Sequence, residues 1–135
     1  MTKLFDINVH ITGFNQVKSA KATVNCITFD GFCEAPFFKG KIIEGGVDTQ
    51  KFEEGKTGTL SARYILKGTD KNGKETSLFI ENNGIFEKDG TITTTPWIIS
   101  DNEELQPLFE GKLSGKVVSV DCPEHNKVLI EIYKE

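Results

Sequence analysis

The chain contains a single arginine, Arg63, two histidines and three cysteines, and every apolar run in it is short. Each scarcity excludes something. His10 and His125 lie at no metal-binding spacing from each other or from a cysteine, so no metal site is expected. Cys26, Cys33 and Cys122 form an odd set with no C-x-x-C, which argues against a disulfide framework. Polar residues interrupt every apolar run of "MTKLFDINVHITG", so no signal peptide is read there. No stretch approaches the roughly 20 apolar residues of a membrane helix. A reduced, cytoplasmic setting without a membrane partner is the expectation. The lysines are spread along the chain and the net charge is −4, which leaves nucleic acid little to grip. There is no G-x-S-x-G, no phosphate-binding loop and no dinucleotide fingerprint, so no cofactor is expected.

What remains is a globular composition. With 135 residues, 37% of them apolar and 27% charged, the chain fits one domain, residues 1–135, that can build a core without a staple. Its dominant period is two, the mark of half-buried strands. Phe5, Ile7, Val9 and Ile11 alternate with Leu4, Asp6, Asn8 and His10. Leu60, Ala62, Tyr64 and Leu66 alternate with Ser61, Arg63, Ile65 and Lys67. Leu78, Ile80, Asn82 and Gly84 are in phase, as are Val128, Ile130 and Ile132. Less regular runs at 20–29, 36–43, 47–53, 91–99 and 112–120 complete a set of nine strands. Pro96 cannot donate to a ladder and is expected at a bulge or strand end.

Turn chemistry separates these runs. Asn72-Gly73 predicts a two-residue hairpin turn with positive φ at both residues, and Asp89-Gly90 is a similar signal. One short helix is predicted within 100–109, capped by Ser100 or Asp101 and limited by Pro107. Short connections imply antiparallel neighbours. Closing such a meander removes its edges, and glycines at 40, 84, 111 and 115 suit the bends of a small barrel. The fold expected is therefore all-β: a small closed antiparallel barrel, mostly up-and-down, with about eight to ten strands.

The ordered segments "GFCEAPFFKG", "GGVDTQ", "ARY", "FIENNG" and "TTTPW" carry a family resemblance. From about Gly31 onward the chain resembles the bacterial and fungal family catalogued as domain of unknown function 3237. The resemblance implies a small β-barrel and a homo-oligomer, and it implies no reaction.

The candidate site residues follow from the alternation. Tyr64 and Asn82 share faces with apolar neighbours and should point inward, where a phenol or amide needs a partner. Gly45-Gly46 precedes Asp48, either as a bulged turn in which Asp48 bonds nearby N–H groups or as a device that aims Asp48 into the barrel mouth. Asp48, Tyr64 and Asn82 would then either satisfy one another or meet a ligand. Arg63 joins the ligand-binding set as the lone arginine, a residue suited to a forked contact with a carboxylate or across a subunit interface. Trp97 and one of Phe37 and Phe38 are candidates for a subunit contact.

Three functions remain open. The barrel interior binds a small, largely apolar molecule; or Asp48 and Tyr64 serve a cofactor-independent isomerase or cyclase; or the chain is a structural homo-oligomer subunit without a ligand.

Overall fold

The computed structural model describes residues 1–135. Its strands are β1 (Thr2–Lys18), β2 (Ala22–Ala35), β3 (Phe38–Ile42), β4 (Val47–Glu53), β5 (Thr59–Asp70), β6 (Glu75–Phe86), β7 (Ile92–Ser100), β8 (Leu113–Ser119) and β9 (Lys127–Lys134). All pairings are antiparallel, each strand pairs with its chain neighbours except that β3 and β4 do not pair with each other, and β9 pairs with β1, so the sheet closes. The expected up-and-down barrel is the fold.

Nine strands occupy eight positions round the wall. β3 pairs with the far half of β2 and of β5, and β4 pairs with the near half of the same two strands. They are one wall strand, interrupted at residues 43–46. Gly45 sits at φ 112°, a left-handed value that favours glycine. The Gly45-Gly46 pair is therefore a break inside a strand that keeps its direction, and the chain does not turn back there.

Several local expectations need correction. Asn72 does not have positive φ; Gly73 does, at 81°. The Asp70 N–H donates to the Lys74 carbonyl, so the loop has three residues and glycine alone takes the left-handed position. Asp70 Oδ1 accepts from the N–H groups of Asn72 and Lys74 and holds that shape. The Asp89-Gly90 turn repeats it, with Glu87 N–H on the Thr91 carbonyl and Gly90 at φ 89°. The predicted helix shrinks to one 3-10 turn, Gln106–Phe109, which Pro107 opens instead of ending. Ser100 and Asp101 do not cap it. Pro96 lies inside β7, and pairing with β8 covers only Thr93 and Thr94, so its missing N–H falls beyond that short ladder. Gly111 precedes β8, in a bend at φ 82°.

The interior is divided. At one end Ile7, Leu66, Leu78, Ile80, Ile98 and Ile132 are fully buried. Phe5 packs edge-on against Phe37 and Phe109, and Phe37 meets Phe109, forming a plug under the 3-10 turn. Phe38 is buried among the same core. Neither Phe37 nor Phe38 is the exposed aromatic expected at a subunit contact, because both close this end. The other end is less densely filled, and the candidate residues stand there.

Candidate functional site

Register places the polar residues. Asp48 pairs with Ala62, Ala62 with Asn82 and Asn82 with Pro96, so these four form one layer across β4 to β7. Adjacent strands are about 4.8 Å apart, and Asp48 and Asn82 thus flank the small Ala62 at a separation of about 10 Å. Ala62 leaves room between them. Tyr64 is two residues further along β5, one layer deeper towards the plug, opposite Ile80. Its ring meets Phe29 edge-on at 5.2 Å. A Cβ at Gly46 would stand 3.2 Å from Tyr64 Cβ and 3.3 Å from the Phe29 ring, so the missing side chain lets the interrupted strand close over both rings.

These residues line one cavity of about 240 Å³. Val9, Ile11, Ile27, Phe29, Leu60 and Val117 supply much of its apolar wall. Ile92, Gln50 and the exposed Ser119 also line it, and Ser119 marks the solvent side. For comparison, a dry cavity of about 150 Å³ holds benzene. A wider groove of about 970 Å³ follows residues 30–34, 39–42 and 67–68 on the outside of the barrel. That groove is open and lined by lysines and backbone, and no unpartnered buried polar side chain faces it. The smaller interior cavity is the one lined by buried, unpartnered polar side chains.

Inside it, Tyr64 Oη, Asp48 Oδ1 and Asn82 Oδ1 are buried without a hydrogen-bond partner. Tyr64 and Asn82 are only 5% and 3% exposed. The expectation that the three satisfy one another is not what the fold does. Nor does Asp48 bond back to backbone N–H groups, because the interrupted strand carries it past the break and into the wall. Its other oxygen, Oδ2, accepts from Gln50 Nε2 at 3.2 Å. Gln50 Oε1 in turn accepts from Asn25 Nδ2 at 3.3 Å, and Asn25 Oδ1 from Gln16 Nε2 at 2.8 Å. This chain of amides holds one carboxylate oxygen and leaves the other without a partner.

Burial pushes the Asp48 carboxyl above its ordinary value, against the opposing hydrogen bond from Gln50. Burial also raises the Tyr64 phenol, with Cys33 and Asp48 adding to the effect, so the phenol is a neutral donor at physiological pH. Cys33, buried deeper, is pushed up to about 11 by desolvation and is an inert thiol. Cys26 and Cys122 are also free. No group of three His, Cys, Asp or Glu side chains is placed to hold a metal ion.

Arg63 stands apart. It projects from the outer wall, 63% exposed, with Nε 3.5 Å from Glu81 Oε2. It does not line the cavity, and its place in the ligand-binding set is withdrawn: adjacent positions on a strand face opposite sides. His10 is also on the outer surface, with Nδ1 2.9 Å from Asp30 Oδ1. Gln50, which lines the cavity, was absent from the expected set, and so was Thr94, which is buried without lining it. Gln50 is two residues from Asp48, which the strand period alone would have revealed. Thr94 is buried beside Gly115, where a Cβ would come within 2.2 Å of its hydroxyl. Its own oxygen is unpartnered as well.

A family model described as "Protein of unknown function (DUF3237)" matches residues 1–95. The match includes the β1–β2 hairpin and ends within β7. A search of curated proteins found no match. Among solved structures, a conserved protein of unknown function from Rhodopseudomonas palustris is similar at a TM-score of 0.76 and 17% identity, over 97% of this chain and 93% of that one. A protein with unknown function from Clostridium acetobutylicum ATCC 824 gives 0.78 and 20%, over 98% and 96%. A beta-barrel like protein from Acinetobacter baumannii AYE gives 0.70 and 14%, over 98% and 92%. These likenesses show the fold.

Proposed function

The chain belongs to the DUF3237 family, whose description assigns no function, and from its interior we propose that it binds a small, largely apolar molecule carrying one polar group. The observation that supports this reading is the set of three unpartnered polar atoms, Asp48 Oδ1, Tyr64 Oη and Asn82 Oδ1, on one apolar cavity. Each such atom costs about 1–3 kcal/mol when left bare. A ligand whose polar group meets them recovers that cost, while its apolar body gains about 25 cal/mol for each Å² it buries. The cavity accommodates a body of about ten heavy atoms, scaling from the benzene-sized case.

The test is a thermal-shift screen of the full chain against small aromatic and aliphatic compounds, repeated with Ala62→Phe. Stabilisation of the natural chain that disappears when the added ring fills the space between Asp48 and Asn82 supports the reading. No stabilisation by any compound overturns it.

The same residues support an enzymatic reading. A carboxyl with raised pKa beside a neutral phenol is suited to moving a proton on a bound molecule without a cofactor. Turnover lost in both Asp48→Asn and Tyr64→Phe, with the melting temperature kept, is the expected signature; variants that unfold remove it.

A third reading concerns assembly. Ile65, Phe79 and Ile99 are direct register partners on the outer wall of β5 to β7. Trp97, 57% exposed, packs edge-on against Phe79 beside the Arg63–Glu81 pair. A contiguous apolar stripe of this kind fits a second copy of the chain. A monomer in sedimentation at micromolar concentration removes the homo-oligomer; a dimer that Trp97→Lys dissociates supports it. A cytoplasmic location remains part of the proposal, resting on the three free cysteines; no helix here is long and apolar enough to cross a membrane.

A further inference from the structure

We infer that the polar group of the ligand is a protonated amine, so that the barrel is a receptor for small apolar amines. The inference rests on the reading that the cavity takes a ligand, and it names the class.

Charge is the first argument. Of the residues that line the cavity, none is lysine, arginine or histidine, and Asp48 is the one that carries formal charge. A carboxylate or phosphate ligand would bring a second negative charge beside Asp48 with no cation to offset either. Burial of like charges without a partner is strongly unfavourable. An ammonium group reverses the sign of that interaction and supplies the countercharge that Asp48 lacks.

Hydrogen-bond capacity is the second. The unpartnered set contains Asp48 Oδ1 and Asn82 Oδ1, both acceptors, and Tyr64 Oη, which accepts as readily as it donates. They project from three successive wall strands, β4, β6 and β5. A primary ammonium carries three donors and no acceptor, which suits a cavity lined by these three residues. An alcohol donates to one acceptor and can accept the Tyr64 O–H, which still leaves the other carbonyl or carboxylate oxygen bare. The amide chain from Gln16 through Asn25 and Gln50 occupies Oδ2, so the oxygen left for the ligand is the unpartnered Oδ1.

The aromatic wall is the third. Phe29 and Tyr64, edge-to-face at 5.2 Å, line the cavity next to Asp48. Aromatic faces attract cations, more strongly where water is excluded, and they offer nothing comparable to an anion.

The experiment is calorimetric titration of the full chain with three probes of matched shape: 2-phenylethylamine, 2-phenylethanol and phenylacetate. The amine is expected to bind about tenfold or more tighter than the alcohol, in line with the gain from a charge-assisted bond. Phenylacetate is expected not to bind. In Asp48→Asn the amine is expected to lose its advantage while the alcohol is retained. An alcohol or carboxylate that binds as well as the amine overturns the assignment of an amine and leaves the binding cavity standing. Failure of all three probes overturns the amine, while the binding cavity falls only if the wider screen also fails. The comparison of probes is made on the natural chain, so it decides the matter even if the variant fails to fold.

Discussion

Two buried asparagines, one at each end of the barrel, have opposite fates. Asn102, 1% exposed, is fully used. Its Nδ2 donates to Asp70 Oδ2 and to Thr76 Oγ1, each at 3.0 Å, and its Oδ1 accepts the Glu104 N–H at 3.0 Å. It ties the β5–β6 turn to the segment that carries the plug. Asn82, 3% exposed, has an oxygen with no partner, and so have its neighbours Asp48 and Tyr64. The fold satisfies a buried amide where the amide serves the structure. Where the polar groups line the cavity it leaves them free. One end of the barrel is tied together by satisfied polar groups, and the other carries buried polar groups that have no partner within the fold.

The sharpest way to break this contrast is to delete volume at each end. Leu78→Ala, in the packed end, is expected to cost about 2–5 kcal/mol in urea unfolding. Val128→Ala, on the cavity wall, should cost about 1 kcal/mol, because fewer atoms close round it. Equal losses would mean that the two ends are packed alike. The asparagines give the next largest effect. Asn102→Ala strands Asp70, Thr76 and the Glu104 N–H and should cost about 1–3 kcal/mol. Asn82→Leu removes an unpaired amide and should be neutral or stabilising by the same measurement.

A smaller effect depends on pH. The folded pKa of Asp48 lies above its ordinary value of 3.8. Between those two values the native state holds the proton and the unfolded state does not, so stability falls as pH rises through that window. Asp48→Asn should therefore melt higher than the natural chain at pH 7, and the gain should vanish as the pH approaches 4. A variant that melts lower at pH 7 would show that the carboxylate is structural. The smallest effect belongs to the outer wall. Arg63→Ala should change stability by less than about 0.5 kcal/mol, because an exposed ion pair at 3.5 Å contributes little.

Much of this architecture is legible in the sequence. The runs at 47–53, 75–86 and 127–134 coincide with β4, β6 and β9, because each alternates cleanly or ends on a sharp turn. The far part of β1, 12–18, and of β2, 30–35, was not legible. The register of that hairpin shifts between Ile11 and Gly13, which breaks the period of two there. Tyr64 and Asn82 were found because apolar neighbours fix the phase of their strands. Thr94 was hidden, since residues 93–95 are all threonine and offer no contrast between faces. The break at 43–46 resembles a turn in sequence, because glycine pairs serve both purposes; only pairing of β3 and β4 with the same two neighbours shows that the direction is kept.

The most direct measurement is an atomic-resolution crystal structure of the protein as purified from its own source. Non-protein density larger than single waters, within hydrogen-bond reach of Asp48 Oδ1 and Tyr64 Oη, is the result predicted here. A lumen filled by repacked side chains, with the Tyr64 hydroxyl bonded to Asp48 or Asn82, would contradict it.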